Sequence, residues 1–273
     1  MTQKDQLPLA ERSWADLPGH WLLARLGKRV LRPGGLELTT RLLTAAGIGG
    51  SDVVELGPGL GRTAKDIEAL RPSSYVGVDE SGAASAMVQQ VIDATGGRAV
   101  NADAAATGLE PDSADVVVGE AMLTMQSERG KKAIVDEAFR VLRPGGRYAI
   151  HELGLKPDTL EQEIKDTIRR DMARAIKVNA RPLTVQEWTT LLSESGFVVK
   201  TVEQAPMALL QPKRMVADEG LFGALRIAAN VLTHPGARKR VLGMRRTFTR
   251  YRDALTAVAI VAEVPGAKPT SAP

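Results

Sequence analysis

The sequence predicts an α/β protein whose core is a doubly wound, mostly parallel sheet. Between about residues 51 and 204, short β-branched runs alternate with segments in which apolar residues recur at helical spacing. Helical patterns of roughly 10–15 residues between strands indicate crossover connections, which make the strands parallel and cover both faces of the sheet. The 273 residues, 44% of them apolar, suit one large domain better than two independent folds.

Seven strands are predicted in chain order. They lie at residues 53–56, 75–78, 98–102, 114–118, 147–152, 197–199 and 256–262. Helices are predicted between them at residues 62–70, 83–95, 131–142 and 160–176. A further helix begins at Thr184, whose spacing to Glu187 is that of a capping box, and ends at Gly196, which suits a left-handed stop.

The composition excludes several classes of protein. The chain has no cysteine, and therefore no disulfide framework, thiolate nucleophile or cysteine-ligated metal site. Its three histidines are scattered without the spacing of a metal site. The N-terminus lacks the apolar core of a signal peptide, and no apolar run approaches the roughly 20 residues that span a bilayer. We therefore expect a soluble, cytoplasmic protein without a metal.

A glycine-rich loop follows the first predicted strand. Residues 54–62 read VELGPGLGR, so that Glu55 precedes three glycines at alternate positions. Glycines let the backbone turn sharply and let a ligand approach closely. A nicotinamide dinucleotide site would require the spacing G-x-G-x-x-G, but here the third glycine comes one residue early and Arg62 occupies the place of a small residue. The loop therefore disfavours dinucleotide binding.

This loop resembles the main motif of the class I S-adenosylmethionine-dependent methyltransferases. The resemblance covers about residues 50–204 and 254–264, and RVLRPGG at 140–146 resembles the turn before that family's fifth strand. We interpret the second copy of RPGG, at 32–35, as coincidental turn chemistry. The resemblance implies a Rossmann-like seven-stranded sheet, with six parallel strands and the last antiparallel. The implied organisation is a helical N-terminal cover at 1–50, a catalytic domain at 51–204 and 254–264, a helical lid insertion at 205–253, and a flexible tail at 265–273.

The resemblance also implies S-adenosyl-L-methionine as the cofactor. The positions that match the family's cofactor contacts are Glu55, Gly57, Pro58, Gly59, Gly61, Asp79, Glu80, Asp103, Ala104, Glu120 and Ala121. The loop would hold the methionine part, and Asp79, with Glu80 as a substitute, would accept hydrogen bonds from the ribose hydroxyls. Asp103 and Ala104 would contact the adenine, and Glu120 would lie near the departing methyl group.

Methyl transfer from a sulfonium requires alignment and exclusion of water, and it needs a base only if the acceptor loses a proton. Strand ends place His151 and Glu152 near the acceptor. We predict His151 as the base because its unperturbed pKa is near neutrality. The alternative is a histidine that bonds locally to the backbone or lines the pocket. His20 is a candidate for lining the pocket, and His234 is expected to be solvated.

The basic charge is concentrated in the predicted insertion. The chain carries a net charge of +4, and residues 205–253 contribute ten basic and three acidic residues. Apolar residues at helical spacing in 241–255 indicate a helix with one buried and one basic face. The simplest interpretation is two packed helices with a solvated basic surface. The alternatives are a lid over an anionic or lipidic acceptor, or a membrane-surface helix. Nucleic acid is not expected as a partner, because only 4% of the residues are aromatic.

The residues after the fourth predicted strand distinguish between subclasses of methyltransferase. GEAM at 119–122 lacks the Asp/Asn-Pro-Pro-aromatic loop of the enzymes that methylate amino groups of nucleic acids. The chain most resembles the small-molecule class, including the type 11 and quinone C-methyltransferase-like group. We predict a methyltransferase with a small-molecule acceptor. The alternatives are a scaffold protein that keeps the cofactor pocket without turnover, and an enzyme acting on a membrane-associated lipid or quinone.

Overall fold

The computed structural model describes residues 7, 9 and 11–266. Most of the predicted tail, residues 267–273, and most of the first ten residues lie outside the described part. Within it the strands are β1 Asp52–Leu56, β2 Ser74–Asp79, β3 Arg98–Asn101, β4 Ala114–Glu120, β5 Leu142–Leu155, β6 Leu183–Thr184, β7 Val198–Pro206 and β8 Leu255–Glu263.

The helices precede, connect and follow these strands. They are α1 Gly19–Arg25, α2 Gly35–Ala46, α3 Arg62–Ala69, α4 Gly82–Ile92, α5 Glu128–Val141, α6 Gln162–Ile176, α7 Val185–Glu194, α8 Pro212–Thr233 and α9 Pro235–Arg250. None of those within the described residues is long and apolar enough to cross a membrane. The capping box predicted at Thr184 is present, with both reciprocal hydrogen bonds to Glu187.

The strands form one twisted sheet in the order β3-β2-β1-β4-β5-β8-β7, with β6 paired to β5. β8 runs antiparallel to both of its neighbours, and the other pairings are parallel. The predicted fold class is therefore confirmed. The two-residue strand β6 was not predicted, because it is too short to show an alternating pattern.

Both faces of the sheet are covered. On one face Trp188 and Leu192 of α7 pack with Ile134 of α5 against the strands. On the other face, Leu38 and Leu42 of α2 lie over the sheet beside α3 and α4. This two-sided burial explains why the central strands are almost wholly apolar.

Two strand boundaries differ from the prediction by five residues or more, for physical reasons. β5 begins at Leu142 rather than 147, because the RPGG turn is built into the strand as a register shift opposite Ala114 and Val116. β7 extends to Pro206, although only residues up to 199 were predicted. It is an edge strand, and its exposed, polar sequence hides the alternation that marks a half-buried strand.

The segment between β7 and β8 is helical, as its periodicity predicts. Met244 of α9 is buried against Leu22 and Leu26 of the N-terminal part, with Phe248 packed beside them. α8 is interrupted at Gly220, whose backbone angles (φ 71°, ψ 168°) are not helical. The insertion and the N-terminal helices thus share one hydrophobic cluster.

Candidate active site

The glycine loop lies at the carboxyl end of β1. The amide of Gly57 donates to the Val78 carbonyl at 2.8 Å, which carries the β1–β2 pairing into the loop. All three glycines have positive φ, where side chains are strained. A Cβ on Gly61 would lie 3.1 Å from a Val91 methyl group, whereas a Cβ on Gly59 would meet no side chain within 4 Å. The loop therefore leaves open space beside Gly59, as a ligand cradle requires.

Asp79, at the end of β2, lies against this loop. Its carboxylate accepts hydrogen bonds from the amide of Gly59 at 3.0 Å and from that of Ser81 at 2.9 Å. Asn101 of β3 donates to the Asp79 carbonyl at 2.9 Å. The structure thus brings the predicted ribose acid beside the predicted glycine loop, with lone pairs of the carboxylate left to accept further bonds.

The remaining predicted contacts of the adenosine part lie at the same edge of the sheet. Glu80 and Asp103 are exposed, and Ala104 is half-buried. The Asp103 carboxylate accepts a hydrogen bond from the Ala105 amide at 2.8 Å, which stabilises the turn after β3. Pro58 is buried within the glycine loop. These positions are compatible with the predicted roles, which stay predictions.

Glu55 is buried in β1 and bonded to the protein itself. Its carboxyl group accepts a hydrogen bond from the Tyr75 hydroxyl at 2.6 Å. Burial raises the pKa of Glu55 to about 8, although the Tyr75 hydrogen bond opposes the shift. The group is therefore mostly protonated at neutral pH, and its predicted contact with the cofactor stays a prediction.

We expect Glu55→Gln to be more stable than the wild type at alkaline pH. The folded pKa of about 8 lies above the ordinary glutamate value of 4.5, so the folded state loses stability as pH rises between the two values. Glutamine does not ionise and removes this loss. We therefore expect the free energy of unfolding of the variant to exceed that of the wild type by on the order of 2 kcal/mol at about pH 8.5, and by much less at about pH 5. Urea denaturation at the two pH values measures it, with the exposed Glu110→Gln as control. A difference that does not change with pH would contradict the assignment.

Glu120, at the end of β4, is the centre of a buried polar cluster. Its carboxylate forms an ion pair with Arg32 and accepts hydrogen bonds from the hydroxyls of Thr39 and Thr63. His151 Nδ1 lies 3.0 Å from its Oε1 atom. Burial disfavours the ionised form, but the charge of Arg32 and these hydrogen bonds outweigh burial and lower the pKa of Glu120 to about 2.

The protein itself engages Glu120 in this cluster, and its predicted place near the departing methyl group stays a prediction. Its oxygens are occupied by protein donors, and they hold Arg32 and Thr39 of the N-terminal part on the sheet. Arg32, Thr39 and Thr63 were not predicted as site residues. The RPGG sequence at 32–35 could have pointed to Arg32 alone, because the structure places it over the site rather than in an unrelated turn.

His151 also differs from its prediction. It is fully buried, and its Nε2 accepts a hydrogen bond from the Gly34 amide at 3.1 Å. That bond assigns the proton to Nδ1, which faces Glu120. Both ring nitrogens are therefore engaged, and His151 has no free lone pair for an acceptor. The geometry disfavours it as a base and matches the alternative of local hydrogen bonding.

Glu152, predicted near the acceptor, instead organises the segment after β4. Its carboxylate accepts hydrogen bonds from the amides of Met122, Leu123 and Thr124 at 2.9, 2.7 and 3.0 Å. The Thr124 hydroxyl donates to it as well, at 2.6 Å. Glu152 therefore fixes the backbone that follows Ala121.

An apolar cavity of about 110 Å³ opens beside Ala121, directly after β4. Its walls come from α1, α6, α9 and the loops between them, and they are Gly19, His20, Leu23, Leu31, Pro33, Ala121, Thr124, Met125, Leu153, Met172, Ile176, Val178, Ala180, Met207, Leu209, Met244 and Phe248. His20 lines it, as predicted, and burial lowers its pKa to about 4. His234, predicted to be solvated, is instead half-buried, and its Nδ1 lies 2.8 Å from the Asn230 carbonyl.

Comparison with known proteins assigns the family. The family model described as a methyltransferase domain matches residues 53–146, from β1 to the turn within β5. A curated relative, an uncharacterized protein of Haemophilus influenzae, is 35% identical over 253 residues, with 91% of this chain and 98% of the relative covered. The chain belongs to the class I S-adenosylmethionine-dependent methyltransferases.

Solved structures share the fold of this methyltransferase. Phosphoethanolamine N-methyltransferase 2 of Haemonchus contortus, in complex with S-adenosyl-L-methionine, has a TM-score of 0.67 and 17% identity, with 97% of this chain and 60% of that chain covered. The cyclase SpnF has a TM-score of 0.68 and 16% identity, with 90% of this chain and 93% of that chain covered. At such identities the likeness shows the fold, and the reaction must be argued from the site.

Proposed function

We propose that this protein transfers a methyl group from S-adenosylmethionine to a small-molecule acceptor with an apolar body. The observation that carries the proposal is the apolar cavity beside Ala121, because Ala121 joins it to the strand edge that holds the glycine loop. In a doubly wound sheet, ligands bind beyond the carboxyl ends of the strands. The cavity is the natural place for an acceptor at this edge.

The residues present suit the cofactor. S-adenosylmethionine, when bound, supplies an electrophilic methyl group on a sulfonium. The open space at Gly59 accommodates close approach of a ligand to the loop, and the Asp79 carboxylate beside it can accept from a diol. Gly57, Gly59, Gly61 and Asp79 are the residues we assign to cofactor binding.

The acceptor side works mainly by shape and exclusion of water. The walls of the cavity are almost wholly apolar, and helices α1, α6 and α9 enclose it. Among the described residues that line it, His20 is the titratable one. Because burial keeps the imidazole neutral above about pH 5, it can accept a hydrogen bond from an acceptor hydroxyl or amine. We assign this orienting role to His20 in place of His151.

The test is release of S-adenosylhomocysteine in the presence of apolar phenols, quinols, amines, thiols and lipids. With an active acceptor, Ile176→Trp, which fills the cavity, should raise the acceptor KM about ten-fold with the affinity for S-adenosylhomocysteine unchanged. Ile164→Trp is the matched control, because Ile164 is exposed on the same helix. An unchanged KM in the Ile176 variant would contradict the placement of the acceptor.

A second candidate is a protein that binds the cofactor without transferring its methyl group. The cyclase named among the structural neighbours supports this alternative at the level of the fold alone. Calorimetric binding of S-adenosylhomocysteine, together with no release from any acceptor class, would favour it over methyl transfer.

A further inference from the structure

We propose that the second half of α8 docks on the surface of an anionic lipid bilayer. This inference stands on the outer surface of the insertion and does not depend on methyl transfer. It goes beyond the proposed function, because it concerns where the protein resides during its reaction.

The first observation is a row of exposed apolar side chains. After Gly220, the exposed fractions are 60% for Leu221, 88% for Phe222, 58% for Leu225 and 67% for Leu232. A helix turns by about 100° per residue, which places these four on one side and the buried Ile227 on the other. Single exposed apolar residues are ordinary, but a continuous apolar row marks an interaction surface.

The row belongs to a helix whose beginning is firmly anchored. Glu219 accepts hydrogen bonds from the amides of Arg29 and Val30, each at 2.8 Å. Asp218 accepts from the Leu36 amide at 3.1 Å, and Lys28 lies between the two carboxylates. The start of this helix is therefore fixed to the N-terminal part, while the side chains of the apolar row stay exposed in the described structure.

The second observation is uncompensated positive charge on the same insertion. Within residues 205–253, the exposed basic residues that form no ion pair with any described carboxylate are Lys213, Arg226, Arg238, Lys239, Arg245 and Arg246. The two acids of α8 are turned inward to Lys28. Apolar residues combined with unpaired lysines and arginines are the pattern of a helix that lies in the interface of an anionic membrane.

Two other binding partners for the apolar row are disfavoured, a second copy of the chain and a single-stranded nucleic acid. A second copy seated on the row would bring two such basic surfaces together, which electrostatic repulsion disfavours. A single-stranded nucleic acid would need aromatic residues for base stacking, and Phe222 alone is available in the row. An anionic bilayer satisfies both the apolar row and the charge.

The position of α9 gives this docking a consequence. Met244 and Phe248 line the acceptor cavity, while Arg245 and Arg246 of the same helix are exposed. An α-helix with its side chains is about 10 Å thick. A bilayer at the outer surface of α9 would therefore lie about one helix diameter from the cavity.

The test is cosedimentation with vesicles of phosphatidylglycerol and phosphatidylcholine, and with vesicles of phosphatidylcholine alone. We expect binding to the anionic vesicles that weakens at high salt, and a loss of at least about ten-fold in F222E/L225E. The control variant L70E/V198E places the same charges on exposed apolar residues elsewhere. It should bind like the wild type.

Calorimetry with S-adenosylhomocysteine checks that each variant is folded, and its outcome is independent of the vesicle result. Three results would overturn the proposal. The first is that the wild type does not bind the anionic vesicles at low salt. The second is that F222E/L225E binds them as well as the wild type does. The third is that the wild type binds no vesicles but forms a dimer, and that F222E/L225E is a monomer.

Discussion

Replacing Arg32 by methionine is expected to lower the free energy of unfolding by about 3–5 kcal/mol, because it leaves a buried charge without its partner. Arg32 and the Glu120 side chain are almost fully buried. Arg32 also donates to the Thr63 hydroxyl at 2.8 Å and pairs with Asp66 at 3.3 Å. Urea denaturation at neutral pH measures the loss.

The same experiment has an internal pH signature. The folded pKa of Glu120, about 2, lies below the ordinary glutamate value of 4.5. The stabilisation by the ion pair is therefore fully present above the higher value and is lost as pH falls toward the lower one. The difference between wild type and R32M should therefore shrink in acid. R32M/E120Q should recover part of the loss, because the buried charge is then removed as well.

Arg41→Met is the matched control for R32M. Arg41 pairs with Glu37 and Glu203, but all three side chains are at least two-fifths exposed. Exposed ion pairs contribute about 0–1 kcal/mol, so this change should be nearly neutral. If R32M cost no more than R41M, the buried cluster would not be what holds the N-terminal part on the sheet.

Asp79→Ala is expected to weaken binding of S-adenosylhomocysteine about 100-fold. Hydrogen bonds to a charged group are each worth about 1.5–3 kcal/mol, and the assigned diol would lose two of them. The change also removes the carboxylate that positions the Gly59 amide. Isothermal calorimetry measures the affinity.

Two variants separate a ligand contact from a general effect of charge. Asp79→Asn keeps one acceptor oxygen and should fall between wild type and D79A. Asp136→Ala removes an exposed carboxylate on α5 and should bind like the wild type. Equal affinity of D79A and wild type would exclude Asp79 from the cofactor site, and with it the assignment of the glycine loop.

The glycine loop and Asp79 could be predicted from sequence because their signals are local. The glycines require particular backbone angles, and Asp79 lies at a recognisable strand end. The buried cluster could not be predicted in this way. It joins Arg32 to Glu120 and Glu120 to His151, across separations of 88 and 31 residues, and no periodicity encodes such pairings.

The contacts of three predicted site residues could not be foreseen, for one shared reason. Glu120 lies at the end of β4, as predicted, whereas β5 continues to Leu155, so that His151 and Glu152 lie within the strand. The orientation of the three side chains could not be predicted from sequence. In the structure each is buried and bonded to backbone or to a partner from the N-terminal part. His20, by contrast, reaches the cavity from a segment whose packing the sheet pattern does not specify.

The reversed direction of β8 has an evolutionary consequence. The chain leaves β7 and enters β8 at the same edge of the sheet, because the two strands are antiparallel. A parallel last strand would have required a crossover to the opposite edge. The segment 207–254 can therefore be lengthened, shortened or replaced without changing the order or direction of the strands. Under the proposed function, changes in this segment would alter the cavity that Met207, Met244 and Phe248 line and would leave the strand ends near Asp79 unchanged.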